Sequence, residues 1–151
     1  VQPLDFGAAA LDGLGLTANY TFIDQKGSGA APAIATGVAP QTYNATLYYE
    51  NHGLSARVSV TSAMGSQLTG PGGQNGITSA ELFSDNYTQW DFSSSFNLSA
   101  MMNTSEWVPQ ITLDVINLNN AVQRSYFQFP NATFTQYNAG RTVILGLRGS
   151  F

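Results

Sequence analysis

From Arg141 to the end of the chain, apolar and polar residues alternate one for one. Val143, Leu145, Leu147 and Phe151 fall on one side, and Thr142, Ile144, Gly146, Arg148 and Ser150 on the other. Side chains of an extended strand point to opposite faces in turn, so this period of two specifies a strand with one apolar and one mostly polar face. No polar tail follows it, whereas the ends of most soluble domains fray into water. The pattern leads to the expectation of a closing strand in an outer-membrane β-barrel. Such a strand has lipid against one face and water or a plug against the other, and it pairs along both edges.

Charge supports that expectation. Charged residues make up 9% of the 151, where about a quarter is usual, and polarity comes from Ser, Thr, Asn, Gln and Gly. Soluble surfaces carry many Lys and Glu, so something other than charge must cover the outside. No stretch reaches the ~20 apolar residues of a spanning helix. The formal net charge of -4 and five scattered basic residues argue against nucleic acid as a partner. Cysteine is absent, which excludes a disulfide framework and thiolate metal sites. The opening Val1-Gln-Pro-Leu-Asp has no basic or long apolar region, so no signal peptide begins there. The expectation is a mature protein or a fragment of something longer.

Five further strands are expected upstream. Residues 1–13 read as turn-like, then Leu14 to Asp24 alternates, with Leu16, Ala18, Tyr20 and Phe22 against Thr17, Asn19 and Thr21. A Gly-, Ala- and Pro-rich loop spans 25–41. Thr42 to Glu50 and Leu54 to Thr61 make a hairpin around Asn51-His52-Gly53, where a glycine supplies a positive φ. Residues 64–86 read as a second long loop, with a short helical turn near Ser79 to Phe83. Tyr87 to Ser99 and Val108 to Asn117 pair across a modest turn from Met101 to Trp107. Residues 118–136 read as a third long loop before the last strand.

Short and long connections thus alternate, as do the short periplasmic turns and longer extracellular loops of outer-membrane barrels. Tyr20, Phe22, Tyr43, Tyr87 and Trp90 stand near the outer ends of strands, and Tyr49, Trp107 and Phe151 near the inner ends, as two interfacial aromatic girdles require. A soluble antiparallel sandwich also alternates and also has loops. Charge poverty and the regular alternation of connection lengths count against it.

Three stretches carry a resemblance: Leu14-Gly-Leu-Thr-Ala-Asn-Tyr-Thr-Phe, Tyr43-Asn-Ala-Thr-Leu-Tyr-Tyr-Glu-Asn-His-Gly-Leu-Ser-Ala-Arg-Val-Ser, and the segment from Val115-Ile-Asn-Leu-Asn-Asn through Gln123-Arg-Ser-Tyr-Phe. With the terminal Phe151, they resemble the carboxy-terminal end of the barrel of TonB-dependent outer-membrane receptors, nearest to large proteobacterial receptors of the Caulobacter and Xanthomonas type. The resemblance covers nearly all of residues 1–151. It implies an all-β fold, with about six antiparallel transmembrane strands of a barrel of about 22. It also implies a plug domain absent from this chain, TonB acting through that plug, the barrel-assembly machinery as a further partner, and a location in the bacterial outer membrane. The implied activity is energised uptake of a scarce ligand: an iron chelate, a corrinoid or an oligosaccharide. Six strands cannot enclose such a lumen, so the first and last are expected to be open edges. The family's assembly signal usually has a bulky apolar residue two places before the final Phe. Here that place is Gly149, which shifts the expected signal onto Leu145, Leu147 and Phe151. Deleting Phe151 is expected to impair membrane insertion far more than trimming Gly70 to Gly76.

No catalytic, metal or cofactor site is expected. His52 is the only histidine and lies in a short turn, and no nucleophile-elbow motif surrounds any serine. The six Asn-x-Ser/Thr sequons begin at Asn19, Asn44, Asn86, Asn97, Asn103 and Asn131. Three of them arise mid-strand from alternating small polar residues and need no glycan. Arg57 and Asp91 could pair with each other or with a plug. Arg124, Tyr126, Phe127, Phe129 and Phe134, in the last long loop, either contact ligand or pack on one another. Two other readings stay open: a small self-contained outer-membrane barrel or porin, and a secreted soluble adhesin of the sandwich type.

Overall fold

The computed structural model describes residues 12–28, 35–74, 77–103 and 108–149, and only the backbone of 71–74 and 77–79. The first eleven residues, Trp107 and Phe151 therefore lie outside the described residues. Among those described, the chain forms β1 (Leu14–Phe22), β2 (Gln41–Asn51), β3 (Leu54–Ala63), β4 (Gln67–Gln74), β5 (Ile77–Ser84), β6 (Tyr87–Asn97), α1 (Leu98–Met102), β7 (Gln110–Ile116), β8 (Gln123–Phe127), β9 (Thr133–Tyr137) and β10 (Thr142–Arg148). All strand pairs are antiparallel, in a six-stranded sheet ordered β1-β2-β3-β6-β7-β10 and a four-stranded sheet ordered β4-β5-β8-β9.

The six-stranded sheet is built from the six alternating stretches. Its register is unbroken, because a slip of one residue would move every apolar side chain to the other face. Leu16, Leu47, Val58, Phe92, Val115 and Val143 lie opposite one another in succession. The next row on that face runs Leu14, Tyr49, Ala56, Ser94, Leu113 and Leu145. Between them runs a polar-face row of Gly15, Tyr48, Arg57, Ser93, Asp114 and Ile144. The sheet is open, with β1 and β10 as its edges.

Strand ends follow local chemistry. The turn between β2 and β3 has His52 at φ 47 and Gly53 at φ 79, the two left-handed residues of a type I′ hairpin. A Cβ on Gly53 would lie 2.7 Å from the carbonyl oxygen of Asn97, so α1 sits close beneath that turn. Leu98 and Ser99, expected at the end of a strand, instead open α1. The Asn97 side chain accepts from Ala100 N at 3.2 Å, satisfying one of the free donors at a helix start. β7 stops at Ile116 because Asn117 is left-handed, with φ 58.

Two of the three expected long loops are corrected. Residues 64–86 contain β4 and β5, and the helical turn expected near Ser79 to Phe83 is strand, since Phe83 pairs with Gln67 on one side and Tyr126 on the other. Residues 118–136 contain β8 and most of β9. These strands prolong the larger sheet beyond its loop end. Met64–Ser66 alone separates β3 from β4, and Asp85–Asn86 alone separates β5 from β6. The junction is hydrogen-bonded: Ser84 N donates to Ser66 O at 2.8 Å, and Asp85 N to Arg124 O at 2.8 Å. Among the described residues no second layer covers the apolar face of the larger sheet, where Leu16, Leu47, Leu145 and Leu147 stay exposed, whereas a sandwich buries such a face. In the first loop, residues 25–28 and 35–40 contain neither strand nor helix.

Candidate functional site

The register sorts side chains onto two unlike faces. Leu16, Tyr20, Leu47, Val58, Phe92, Leu113 and Leu145 share one face. It is uncovered among the described residues: Leu145 is 75% exposed, Leu147 74% and Leu16 57%. Among the described residues the buried apolar side chains are Val60, which lies on this face between Ala45 and Trp90, with Ala80 and Leu82 in the smaller sheet. At the loop end of this face stand Tyr20, Phe22, Tyr43 and Trp90, all exposed, and at the turn end Tyr49. Tyr87 differs from the expected girdle, because the register turns it to the polar face opposite Ala63.

The polar face satisfies its own groups. Asn44 donates to Asn19 at 3.1 Å and the Thr46 and Ser59 hydroxyls lie 3.0 Å apart, so two of the mid-strand sequons serve cross-strand pairing. A ladder runs along β6, with Tyr87 Oη donating to Gln89 Oε1 at 2.5 Å and Gln89 Nε2 to Asp91 Oδ1 at 2.8 Å. Asn117 N donates to the same Asp91 oxygen at 2.8 Å. Asp91 is thereby occupied, and no ion pair with Arg57 forms among the described residues. Both residues line a recess of about 450 Å³ with Ser93 and Asp114.

Two asparagines that sequence reading did not single out join the loop ends of three strands. The side chain of Asn117, 3% exposed, donates to Gly140 O at 2.8 Å and Ala121 O at 3.2 Å and accepts from Ala121 N. Asn119 accepts from Trp90 N at 3.0 Å and donates to Thr88 O at 2.8 Å. The signal was present in Val115-Ile-Asn-Leu-Asn-Asn. Side chains of Asn mimic backbone groups and tolerate left-handed φ, which suits a strand that must turn sharply.

Where the two sheets meet, a cleft of about 470 Å³ opens between the upper end of the larger sheet and β5, β8 and β9. Tyr87, Met64 and Ala63 form one wall, and Ser84, Gln123, Ser125, Thr135 and Tyr137 another. The Ser125 and Thr135 hydroxyls lie 2.6 Å apart. Arg124 and Asp85 close the rim. Arg124 Nε and Nη2 both donate to Asp85 Oδ2, at 2.8 and 2.5 Å, and Nη1 donates to Pro130 O at 2.7 Å. The guanidinium also lies 5.6 Å from the Tyr126 ring centre. This hydrogen bonding holds the Asp85 carboxyl below its ordinary value of 3.8, against the opposing effect of partial burial.

The five residues singled out in this region are split by the hairpin. Arg124 and Tyr126 share one face of β8, with Tyr126 stacked on Phe83 at 5.7 Å. Phe127 lies on the other face and packs on Phe134 at 4.7 Å. Phe129, in the turn, is 60% exposed. Of the residues singled out for assembly, Leu145 and Leu147 lie on the uncovered apolar face, and Phe151 is outside the described residues. Among the described residues no cluster of His, Cys, Asp and Glu could hold a metal, and no helix is long and apolar enough to cross a membrane, which says nothing of strands.

No family model matches the chain, and no curated protein or solved structure matches it.

Proposed function

We propose that this chain supplies wall strands and outer loops to an outer-membrane β-barrel of the TonB-dependent transporter type, which takes up a scarce ligand and performs no catalysis of its own. One observation supports this reading above the others: a six-stranded sheet with one continuous, uncovered apolar face and one hydrogen-bonded polar face. Leaving a Leu or Val side chain in water forgoes about 1.5–3 kcal/mol. For Leu16, Leu47, Val143, Leu145 and Leu147, all exposed, that comes to on the order of 10 kcal/mol. The whole net stability of a domain is only about 5–15 kcal/mol. A bilayer removes this cost, and the polar face then lines a lumen or meets a plug. The open edges fit strands that continue into the rest of a larger barrel. A soluble sandwich would need a second layer over the apolar face, and among the described residues Leu16, Leu47, Leu145 and Leu147 remain exposed there.

The test is fractionation of native cells, with an immunoblot against β10. A heat-modifiable band in the outer membrane, several times larger than 16.1 kDa, is expected. A soluble band, or one that needs no detergent, would remove the basis of the proposal.

A further inference from the structure

We infer that the cleft between the two sheets is a binding site for an uncharged aromatic molecule of two or three rings. The inference rests on the transport reading for its purpose, a capture site on the outer face, and on the walls themselves for its chemistry. An apolar cavity of about 150 Å³ holds one benzene ring, so a cleft of about 470 Å³ has room for a molecule of that larger size.

The polar groups inside the cleft are already spent on one another. Ser66 N donates to the Ser84 hydroxyl at 2.8 Å, and the two hydroxyls lie 3.2 Å apart. The Ser125 and Thr135 hydroxyls pair at 2.6 Å. The charged side chains of the lining, Arg124 and Asp85, neutralise each other, and Arg124 is tied further to the Pro130 carbonyl. An anion or a polyhydroxylated chain entering here would give up water and break existing bonds to find new ones, which is costly for any buried polar group. Among the described residues, Gln123 and Tyr137 keep side-chain polar atoms without a partner, and both are exposed.

What is left of the walls is apolar and held in place. Ala63, Met64, Leu68 and Ala39 line the cleft together with the Tyr87 and Tyr137 rings. Met64 N donates to Gln41 O at 2.9 Å and Gly37 N to Gln67 O at 2.7 Å, which ties the segments carrying Met64, Leu68 and Ala39 to one another. Tyr87 Oη donates to Gln89 at 2.5 Å, so that ring is fixed before any ligand arrives. Met64 is nonetheless 43% exposed and Tyr137 65%, apolar surface that a guest would remove from water. A thioether and two rings around one space suit an aromatic guest, because sulfur contacts ring edges and rings meet offset or edge to face. An aliphatic chain would gain the burial without those contacts.

The test uses the purified native protein in detergent, with its methionine methyl groups isotopically labelled for magnetic resonance. Met64 lines the cleft, whereas Met101 and Met102 stand in α1 at the opposite end of the wall, and Met64→Leu identifies the resonance. Naphthol is the probe, with naphthoate as its anionic counterpart and maltohexaose as a polyhydroxylated one. Naphthol should shift the Met64 methyl saturably and leave those of Met101 and Met102 in place. Naphthoate should bind at least about tenfold more weakly, since its charge loses water without gaining a partner. Tyr137→Ala should weaken naphthol binding about threefold to tenfold, and Tyr137→Phe, which keeps the ring, less than about twofold. A shift that never saturates, or that moves all three methyls alike, is partition into detergent and would overturn the inference. So would naphthoate or maltohexaose binding as tightly as naphthol, or an affinity unmoved by Tyr137→Ala. None of these outcomes depends on where the protein fractionates, so the transport reading is judged separately.

Discussion

Asn117 concentrates more of the architecture than its size suggests. One buried side chain holds Ala121 and Gly140, while its backbone N–H reaches Asp91 on β6. Asn117→Ala should therefore leave the half-buried N–H and C=O of Ala121 and the C=O of Gly140 without this partner and cost about 1–2 kcal/mol, read as a lower denaturant midpoint. Asp85 gives a pH signature. Its folded pKa is lowered, chiefly by the Arg124 hydrogen bond, so the stabilisation is complete above 3.8 and fades as pH falls through the lowered folded value. The side chain is 35% exposed, and solvent screening keeps the effect below about 1 kcal/mol. Protection of the β8 amides, taken relative to the intrinsic exchange rate at each pH, should fall at acid pH in the native protein, and that fall should be missing in Asp85→Asn.

At the scale of elements, the six wall strands were readable and the upper hairpins were not, for a physical reason. Alternation over nine to eleven residues, as in β1, β2, β3 and β6, outweighs any local exception. β8 and β9 have five residues each, too few for a period to declare itself. β4 contains Gly70, Pro71, Gly72 and Gly73, and its pairing with β5 shifts register three times. Turn residues there are absorbed by bulges, which no propensity reveals. The candidate site divides the same way. Of the five residues singled out for ligand contact only Arg124 lines the cleft, whose rings are Tyr87 and Tyr137, and Asp85, which fixes Arg124, is 39 residues away in sequence and becomes a neighbour only when the two hairpins pair. A cross-strand device in the wall was also hidden. Gly15 faces Tyr48, and a Cβ on it would lie 2.1 Å from Tyr48 Cζ, so the ring covers the glycine. Gly15→Ala should cost about 1–2 kcal/mol with Tyr48 present and markedly less in a Tyr48→Ser background, a difference that a double-mutant cycle measures.

For the molecule as a whole, the two faces of β10 make opposite predictions. Leu145→Arg places a charge on the uncovered apolar face, which in a bilayer costs about 2–4 kcal/mol near the midplane. Ile144→Arg, one residue earlier and on the face shared with Arg57 and Asp114, should be nearly neutral. Quantifying both variants in outer-membrane fractions checks the proposal directly, and equal abundance would contradict it.

The two-residue turn at one end and the asparagine clasp at the other give the wall a register that owes little to the hairpins above it. This separates two kinds of inheritance. If the sheet is a barrel wall it must stay compatible with assembly, while residues 67–84 and 123–137 should be exchangeable with small consequence for its register. On the transport reading, a lineage carrying this sheet would acquire new ligands by swapping hairpins, and an engineer would do the same by cutting at Ser66, Asp85, Val122 and Asn138.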